Sequence, residues 1–185
     1  MNIKVGVSNH HIHVTKEVLE ILFGKGYELT KKRELTQLHQ FAAEETVTLE
    51  LNGKVLEHIR IVGPCRKYTQ VELLERDNEY FGIHAPVRTS GDLSGSETIN
   101  IIGPKGTYHA VESTIVADRH IHMSAEDLKT FNLSRGDEVK VQCENGVVLD
   151  KVDIKSDETC VLEFHMNKDE AEKLGIETGM EVTIC

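Results

Sequence analysis

The sequence predicts a mainly β protein with short helices, built as one or two small β-barrels. Apolar and polar residues alternate in many short runs, and Asn-Gly pairs punctuate two of them. The few helical segments are short, each following a Ser, Thr or Asn cap. With 185 residues, the chain is long enough to bury a substantial core.

The first elements are a strand and a short helix. Residues 3–7 alternate between apolar and polar or small side chains, which predicts a strand that leads into a histidine pair. Thr15 is a suitable N-cap for a helix that Gly24 ends. Residues 27–41 are basic and weakly patterned, and for the run Lys31-Lys32-Arg33 we favour a solvated loop over a ligand contact.

The next stretch reads as a β-hairpin. Residues 45–51 alternate, Asn52-Gly53 is typical of a type I′ turn, and residues 55–61 form the returning strand. Residues 70–74 predict a further strand. Residues 82–92 are irregular and rich in glycine, proline and hydroxyl groups, and loops of this kind often carry function.

The second half of the chain again predicts strands that lead into a histidine pair and a short capped helix. Residues 99–102 and 108–117 predict strands, and the second leads into another histidine pair. Ser124 and Asp127 form a capping box for a short helix.

The last third of the chain contains a second predicted hairpin. It covers residues 139–154 and turns at Asn145-Gly146. Residues 159–165 predict a strand, Asn167 caps a helix, and residues 182–184 form the closing strand.

One histidine-bearing unit recurs three times along the chain. His11-Ile12-His13 and His120-Ile121-His122 each precede a helix cap, and His165 heads a third copy. Alternate side chains of a strand share a face, so each His-Ile-His presents two imidazoles in one direction, which is half of a zinc site. A single histidine would fit a core or surface role equally well, but the repetition favours metal binding.

The histidines predict specific metal ligands. Three imidazoles would fill three positions of a catalytic zinc and leave one for water or substrate. These are His120, His122 and His165. His11 and His13 need a further ligand, for which a carboxylate such as Glu72 is the candidate, although the pattern alone favours an ordinary exposed glutamate at that position.

Two arginines lie in settings that suit an anion. Arg66 follows Gly63-Pro64, and Arg88 precedes Thr89-Ser90-Gly91. A guanidinium held beside hydroxyls and backbone N–H groups suits bidentate phosphate binding, while a structural ion pair is the alternative for each arginine. No Ser-His-Asp order, Walker loop or dinucleotide fingerprint occurs.

Composition excludes several other classes. The formal net charge is −10, from 21 basic and 31 acidic residues, and there is no tryptophan, which argues against nucleic-acid binding. No segment predicts a membrane span or a secretory signal, so we expect a cytoplasmic protein with no membrane partner. The cysteines show no Cys-x-x-Cys spacing and predict free thiols. They are Cys65, Cys143, Cys160 and Cys185.

Five motifs occur in order through nearly the whole chain. They are Ser8-Asn9-His10-His11-Ile12-His13, Gly63-Pro64-Cys65-Arg66, Thr69-Gln70-Val71-Glu72, Ala85-Pro86-Val87-Arg88 with Ser90-Gly91-Asp92, and Arg119-His120-Ile121-His122-Met123. With this combination the chain resembles the phosphotransacylases typified by the phosphate propanoyltransferase of propanediol utilisation. The resemblance implies reversible transfer of an acyl group, acetyl or propanoyl, between coenzyme A and inorganic phosphate.

The resemblance also implies the domain plan. It predicts two β-barrels, the first of which is discontinuous and consists of residues 1–9 plus 118–185. Residues 10–117 would form the second barrel, with the active site at the interface.

The same resemblance implies the roles of individual residues. Two zinc ions per chain are expected, one at His11, His13 and Glu72 and the other at His120, His122 and His165. Arg66 would position phosphate as the catalytic residue, with Arg88 as the further phosphate-binding candidate. Coenzyme A contacts would fall on Ser8, Arg33, Arg60 and His165.

The implied mechanism is direct. Phosphate held by Arg66 would attack the thioester carbonyl, while zinc stabilises the coenzyme A thiolate and, with the arginine, the developing oxyanion. No acyl-cysteine is needed, so Cys65→Ala should keep most activity.

The chain departs from the family pattern in places. Family members usually have arginine where this chain has His10, and an aspartate-rich run with asparagine where it has Asn167, Lys168 and Glu172, which affects the predicted coenzyme contacts. Ser8 lies so near the start that we expect no microcompartment-targeting extension and a free cytoplasmic enzyme. The oligomeric state is left open, with a homodimer as the candidate.

Two other functions are compatible with the residues. A zinc hydrolase would use water in place of phosphate as the nucleophile. A non-catalytic metal-binding barrel would have a closed structural metal, and chelation would unfold it. An amidohydrolase-type barrel also opens with His-x-His, but it needs about 250 residues and regularly alternating helices.

Overall fold

A computed structural model describes all 185 residues, which form fourteen strands and four short helices. The strands of the first half are β1 (Ile3–Ser8), β2 (His11–His13), β3 (Lys31–Glu34), β4 (Phe41–Leu51), β5 (Lys54–Gly63), β6 (Gln70–Leu73) and β7 (Val87–Arg88). Those of the second half are β8 (Glu97–Ile102), β9 (Thr107–Ala117), β10 (His120–His122), β11 (Glu138–Cys143), β12 (Val148–Lys155), β13 (Glu163–Asn167) and β14 (Glu181–Ile184). The helices are α1 (Lys16–Phe23), α2 (Glu75–Phe81), α3 (Ala125–Phe131) and α4 (Lys168–Leu174).

The first barrel is built from both ends of the chain. Its six strands run in the order β1-β13-β10-β12-β11-β14, and β14 pairs back onto β1. Buried side chains such as Val5, Ile121 and Phe164 fill its core. The compact unit around this barrel consists of residues 1–9, 36–38 and 118–185.

The second barrel is built from the middle of the chain. The pairings β4-β5-β2-β6-β9-β8 return from β8 to β4 and so close a six-stranded ring. Strands β3 and β7 attach to it through β4 and β9. Its core includes Ile12, Leu49, Ile61 and Ile99, all with no exposed surface. The unit around it consists of residues 10–35 and 39–117.

This architecture confirms the predicted fold class, mainly β with two small barrels and a discontinuous first one. The three histidine-bearing units also share one local plan. Strands β2, β10 and β13 each precede a helix whose first turn is capped by Thr15, Ser124 or Asn167, and each cap accepts a backbone N–H. None of the four helices is long and apolar enough to cross a membrane.

Two local predictions were wrong, and one helix was not predicted. The run 31–33, expected as a solvated loop, lies in strand β3, although the four side chains of that strand are all exposed. Helix α2 was not predicted, because its N-cap position is Leu74 and no apolar periodicity marks it. Residues 159–162 are not part of a strand, since β13 begins only at Glu163.

A short segment of the middle of the chain belongs to the first unit. The Gln37 side chain is 3% exposed; its Oε1 accepts from Val161 N at 2.9 Å and its Nε2 donates to Val161 O at 3.0 Å. The neighbouring Leu38 N donates to Thr159 O at 3.0 Å. The Gln37 side-chain amide thereby bonds both backbone groups of Val161, as the backbone of a neighbouring strand would.

Candidate metal clusters and arginine loop

Strand pairing builds the first cluster. β2 and β6 are antiparallel, with His11 opposite Glu72 and His13 opposite Gln70. Both histidines therefore face the carboxylate: His11 Nε2 lies 3.4 Å from Glu72 Oε2, and His13 Nε2 lies 3.5 Å from Glu72 Oε1. The structure brings these three predicted ligands together, with their donor atoms within 4.8 Å of one another.

Burial sets the charge of this cluster. His13 is 2% exposed, its Nδ1 donates to Val62 O at 3.0 Å, and burial lowers its pKa to about 4, so the imidazole is neutral near pH 7. Burial alone would raise the pKa of Glu72, but His11, His13 and the Arg66 guanidinium hold it well below its ordinary value. A neutral imidazole beside a carboxylate is a suitable donor set for a metal.

The second cluster uses the same kind of strand pair. β10 and β13 are antiparallel, with His120 opposite His165 and His122 opposite Glu163. The Nε2 atoms of His120 and His122 lie 3.1 Å apart, and the donor atoms of all three histidines lie within 4.8 Å. Burial lowers the pKa of His120, which favours its neutral form.

Each histidine of this cluster has a different outer partner. His120 Nδ1 donates to Asp118 O at 2.9 Å, and His122 Nδ1 lies 3.4 Å from the buried Cys160 Sγ. His165 Nε2 lies 2.5 Å from Glu163 Oε2. Such partners fix the ring orientation of a metal-binding histidine.

Glu163 is itself held by hydrogen bonds from residues 36–38, the short segment that belongs to the first unit. Thr36 Oγ1 lies 2.9 Å from Glu163 Oε1, and Gln37 Nε2 donates to Glu163 Oε2 at 3.3 Å. Burial would raise the pKa of Glu163, but the hydrogen bond and charge of His165 lower it overall. The carboxylate is therefore ionised near pH 7 and accepts from its neighbours.

The donor sets fit a first-row metal ion. Tetrahedral zinc with nitrogen and oxygen ligands at about 2.0–2.1 Å separates the ligand atoms from one another by about 3.3 Å. The contacts of 3.4 and 3.5 Å in the first cluster and 3.1 Å in the second are close to that value. Two imidazoles with a carboxylate, and three imidazoles, are both common zinc donor sets.

The predicted phosphate residue Arg66 lies beside the first cluster. Its backbone N–H donates to Val14 O at 2.9 Å, and its Nη1 donates to Ser90 Oγ at 3.4 Å. Ser90 Oγ also accepts from Gln70 Nε2 at 2.7 Å, and the same Nε2 donates to Glu72 Oε1 at 2.6 Å, so hydrogen bonds connect Arg66 to a predicted ligand. The guanidinium charge also helps to lower the pKa of His13 and Glu72. The loop around Ser90 and the loop around Arg66 thus meet at one cluster.

Comparison with known proteins places this arrangement in a family. The phosphate propanoyltransferase family model matches residues 4–177. The chain is similar to the phosphate propanoyltransferases of Lachnoclostridium phytofermentans, 45% identical over 98% of this chain and 86% of that protein, and of Thermotoga maritima, 46% identical over 95% and 85%. That of Rhodopseudomonas palustris is 41% identical over 99% of this chain and 82% of its own length.

The chain belongs to the phosphate propanoyltransferase family. Both the predicted family and the predicted enzyme class, an acyltransferase, are confirmed. Two histidine-rich clusters able to hold metal are part of the molecule, while the identity of the ions stays a prediction.

Two other predicted site residues, Arg88 and Arg60, have contacts of their own. Arg88 Nη1 donates to Ser94 O at 2.5 Å and lies 3.5 Å from Asp92 Oδ1, so its contacts are within its own loop. Arg60 Nη1 donates to the carbonyls of Ala43 and Glu44 at 2.8 and 2.9 Å.

The remaining predicted coenzyme residues have different surroundings. Ser8 Oγ donates to Met166 O at 3.3 Å, and Arg33 is exposed on β3. The assignment of coenzyme contacts to these two residues and to Arg60 and His165 stays a prediction.

Sequence reasoning missed two polar residues of this family member that contact predicted ligands. Gln70 has no exposed surface, and its Nε2 donates to Glu72 Oε1 at 2.6 Å. Glu163 contacts His165 as described. Both lie two positions before a ligand on the same strand, and alternate strand residues share a face, so spacing alone would have found them.

Proposed function

We propose that this family member catalyses the reversible reaction of acyl-CoA with inorganic phosphate to give acyl phosphate and coenzyme A, with acetyl- or propanoyl-CoA as substrate. The observation that carries the proposal is the chain of hydrogen bonds that runs from Arg66 through Ser90 and Gln70 to Glu72 of the first cluster. A cation beside a metal-binding cluster suits a reaction between an anion and a thioester.

The proposed cofactor is zinc, two ions per chain. His11, His13 and Glu72 would hold one, and His120, His122 and His165 the other. When bound, zinc would supply a Lewis acid that stabilises a thiolate leaving group and a developing oxyanion.

The residues of the second barrel support direct attack. The planar Arg66 guanidinium can bind two phosphate oxygens at once and hold the anion for approach to the carbonyl carbon. A phosphate oxygen forms the new C–O bond, the C–S bond breaks, and coenzyme A departs as the thiolate. The guanidinium also stabilises the negative charge that develops on the carbonyl oxygen.

Cys65, next to Arg66 in sequence, is not needed in this scheme. Cys65 is exposed, but partial desolvation of its thiol raises the pKa, so the thiol is protonated near pH 7 and is a weak nucleophile. We expect Cys65→Ala to keep most of its turnover with acetyl- or propanoyl-CoA. Loss of turnover with metal content intact would point instead to an acyl-cysteine intermediate.

The test of the function is release of coenzyme A from acetyl-CoA and propanoyl-CoA, with and without phosphate. Each assay is repeated after chelation and after zinc is returned. Release that needs both phosphate and metal supports the transfer reaction and ranks the two acyl groups. Metal-dependent release without phosphate would make the protein a hydrolase, and no release under any condition would leave only a metal-binding protein.

A further inference from the structure

We propose that Gln70 and Glu163 are equivalent positioning residues, each matched in hydrogen-bond chemistry to the metal ligand two residues after it. Gln70 holds the ligand Glu72, and Glu163 holds the ligand His165. The proposal rests on the metal binding in the proposed function and adds residues that orient the ligands.

The equivalence comes from the strand register. In the first cluster His11 lies opposite Glu72 and His13 opposite Gln70. In the second cluster His120 lies opposite His165, and Glu163 occupies the place opposite the second histidine.

The neighbouring strands agree as well. β2 and β10 each lie between one parallel and one antiparallel neighbour. Gln70 and Glu163 therefore occupy the same position in the two local structures.

Gln70 and Glu163 differ in hydrogen-bond role, because one neighbouring ligand needs a donor and the other needs an acceptor. An ionised carboxylate only accepts hydrogen bonds, so Glu72 needs a donor, and Gln70 Nε2 supplies one at 2.6 Å. An imidazole that binds metal through one nitrogen carries a proton on the other, so His165 needs an acceptor. Glu163 Oε2 supplies it at 2.5 Å.

Both residues are anchored on their far side. Gln70 Nε2 also donates to Ser90 Oγ at 2.7 Å, and its Oε1 accepts from Gly91 N at 2.8 Å, so the amide is fully bonded. Gln70 therefore links the ligand Glu72 to Ser90, and the Ser90 hydroxyl also accepts a hydrogen bond from Arg66.

Glu163 is anchored by Thr36 and Gln37 at 2.9 and 3.3 Å. A partner that is held in place in this way restricts the ligand beyond it.

The test exchanges the amide of Gln70 and the carboxylate of Glu163 by substitutions that keep the side chains nearly the same size. Zn²⁺ affinity of the full chain is measured by competition with a chromophoric chelator, and Glu72→Ala and His165→Ala assign each bound equivalent to its cluster. Gln70→Glu removes the donor, while Glu163→Gln keeps an acceptor oxygen. Gln142→Glu and Glu138→Gln make the same charge changes at exposed positions of β11 and serve as controls.

We expect Gln70→Glu to lower the zinc affinity of the first cluster, which contains Glu72, by about 10–100-fold. This is the usual effect of losing a residue that hydrogen-bonds to a metal ligand. Glu163→Gln should stay within about threefold of wild type for the other equivalent, because its carbonyl still accepts. The double variant Gln70→Glu with Glu72→His reproduces the pairing of the second cluster. It should bind more tightly than Gln70→Glu alone, which a loss of packing does not explain.

Gln70→Glu binding as tightly as wild type, or both exchanges behaving like the controls, would overturn the proposal. If Gln70→Glu does not fold, Gln70→Met removes the donor without adding charge, and the same loss is expected. Wild-type protein that binds no zinc would overturn both proposals. Zinc binding with the predicted asymmetry but no phosphate-dependent release of coenzyme A would overturn the proposed function alone.

Discussion

At the residue scale, the imidazoles of the two clusters are held in two different ways. His13 and His120 each donate to a backbone carbonyl, a partner that no side-chain substitution removes. His122 relies on a thiol sulfur and His165 on a carboxylate. His13 and His120 are therefore held by the backbone, and His122 and His165 by side chains that mutation can alter.

Arg66 is the residue whose loss should affect phosphate most directly. Arg66→Ala removes both the positive charge and the bidentate hydrogen-bond donor, so kcat/KM for phosphate should fall by about 10²–10³-fold. Arg66→Lys keeps the charge without the planar fork and should lie between wild type and alanine. Steady-state kinetics with phosphate varied at saturating acyl-CoA gives both values.

The control for Arg66 is Arg135→Ala, an exposed arginine of the first unit that should leave the kinetics unchanged. Equal phosphate dependence in Arg66→Ala and wild type would show that another residue binds the nucleophile.

At the element scale, prediction from sequence succeeded where a local rule decides the backbone. Asn52 and Gly53 both have positive φ, 54° and 73°, as the type I′ turn requires, and the caps at Ser124 and Asn167 accept the backbone N–H groups expected of them. The second Asn-Gly pair behaves differently: only Gly146 has positive φ, and its N–H donates to Cys143 O at 2.9 Å.

Prediction failed where pairing with distant residues decides the structure. β3 is a strand because its backbone pairs with β4, although no side chain of β3 is buried. The exchange of hydrogen bonds between Gln37 and Val161 is also invisible in a linear pattern. The predicted ligands were brought together because each His-x-His pair fixes its own geometry. Gln70 and Glu163 share a strand face with the ligand two residues later, but their equivalence in the two clusters becomes evident only once strand register is known.

Gly6 on β1 makes room for the outer partner of the second cluster. It pairs with His165, and a Cβ at this position would lie 3.0 Å from Glu163 Cδ and 3.1 Å from His165 Cδ2. Gly6→Ala should therefore shift the Glu163 carboxylate and lower zinc affinity of the second cluster by up to about tenfold. Chelator competition measures this, with Lys4→Ala on the exposed side of β1 as the control.

A Gly6→Ala protein with wild-type affinity would show that Glu163 can move without disturbing the ligand. An equal loss in both clusters would indicate general destabilisation of the chain instead.

At the scale of the whole molecule, each barrel closes its own strand ring around its own apolar core. The candidate ligands lie on strands that are hydrogen-bonded on both sides, so we expect the strands and not a metal to organise them during folding. This differs from small zinc domains, which are unfolded without their ion. Two small barrels of this kind are expected to keep their structure when the ions are removed.

Chelation should accordingly abolish activity and lower the melting temperature without unfolding the protein at 25 °C. A ligand present at about 100 times its Kd stabilises the native state by about 2.7 kcal/mol, which corresponds to about 5–10 °C for a protein of this size. Far-UV circular dichroism at 25 °C and a thermal scan, each with metal, after chelation and after zinc is returned, test this. Loss of the β spectrum at 25 °C on chelation would mean that the metal is structural, since catalytic ions on preformed strands leave the barrels folded when they depart.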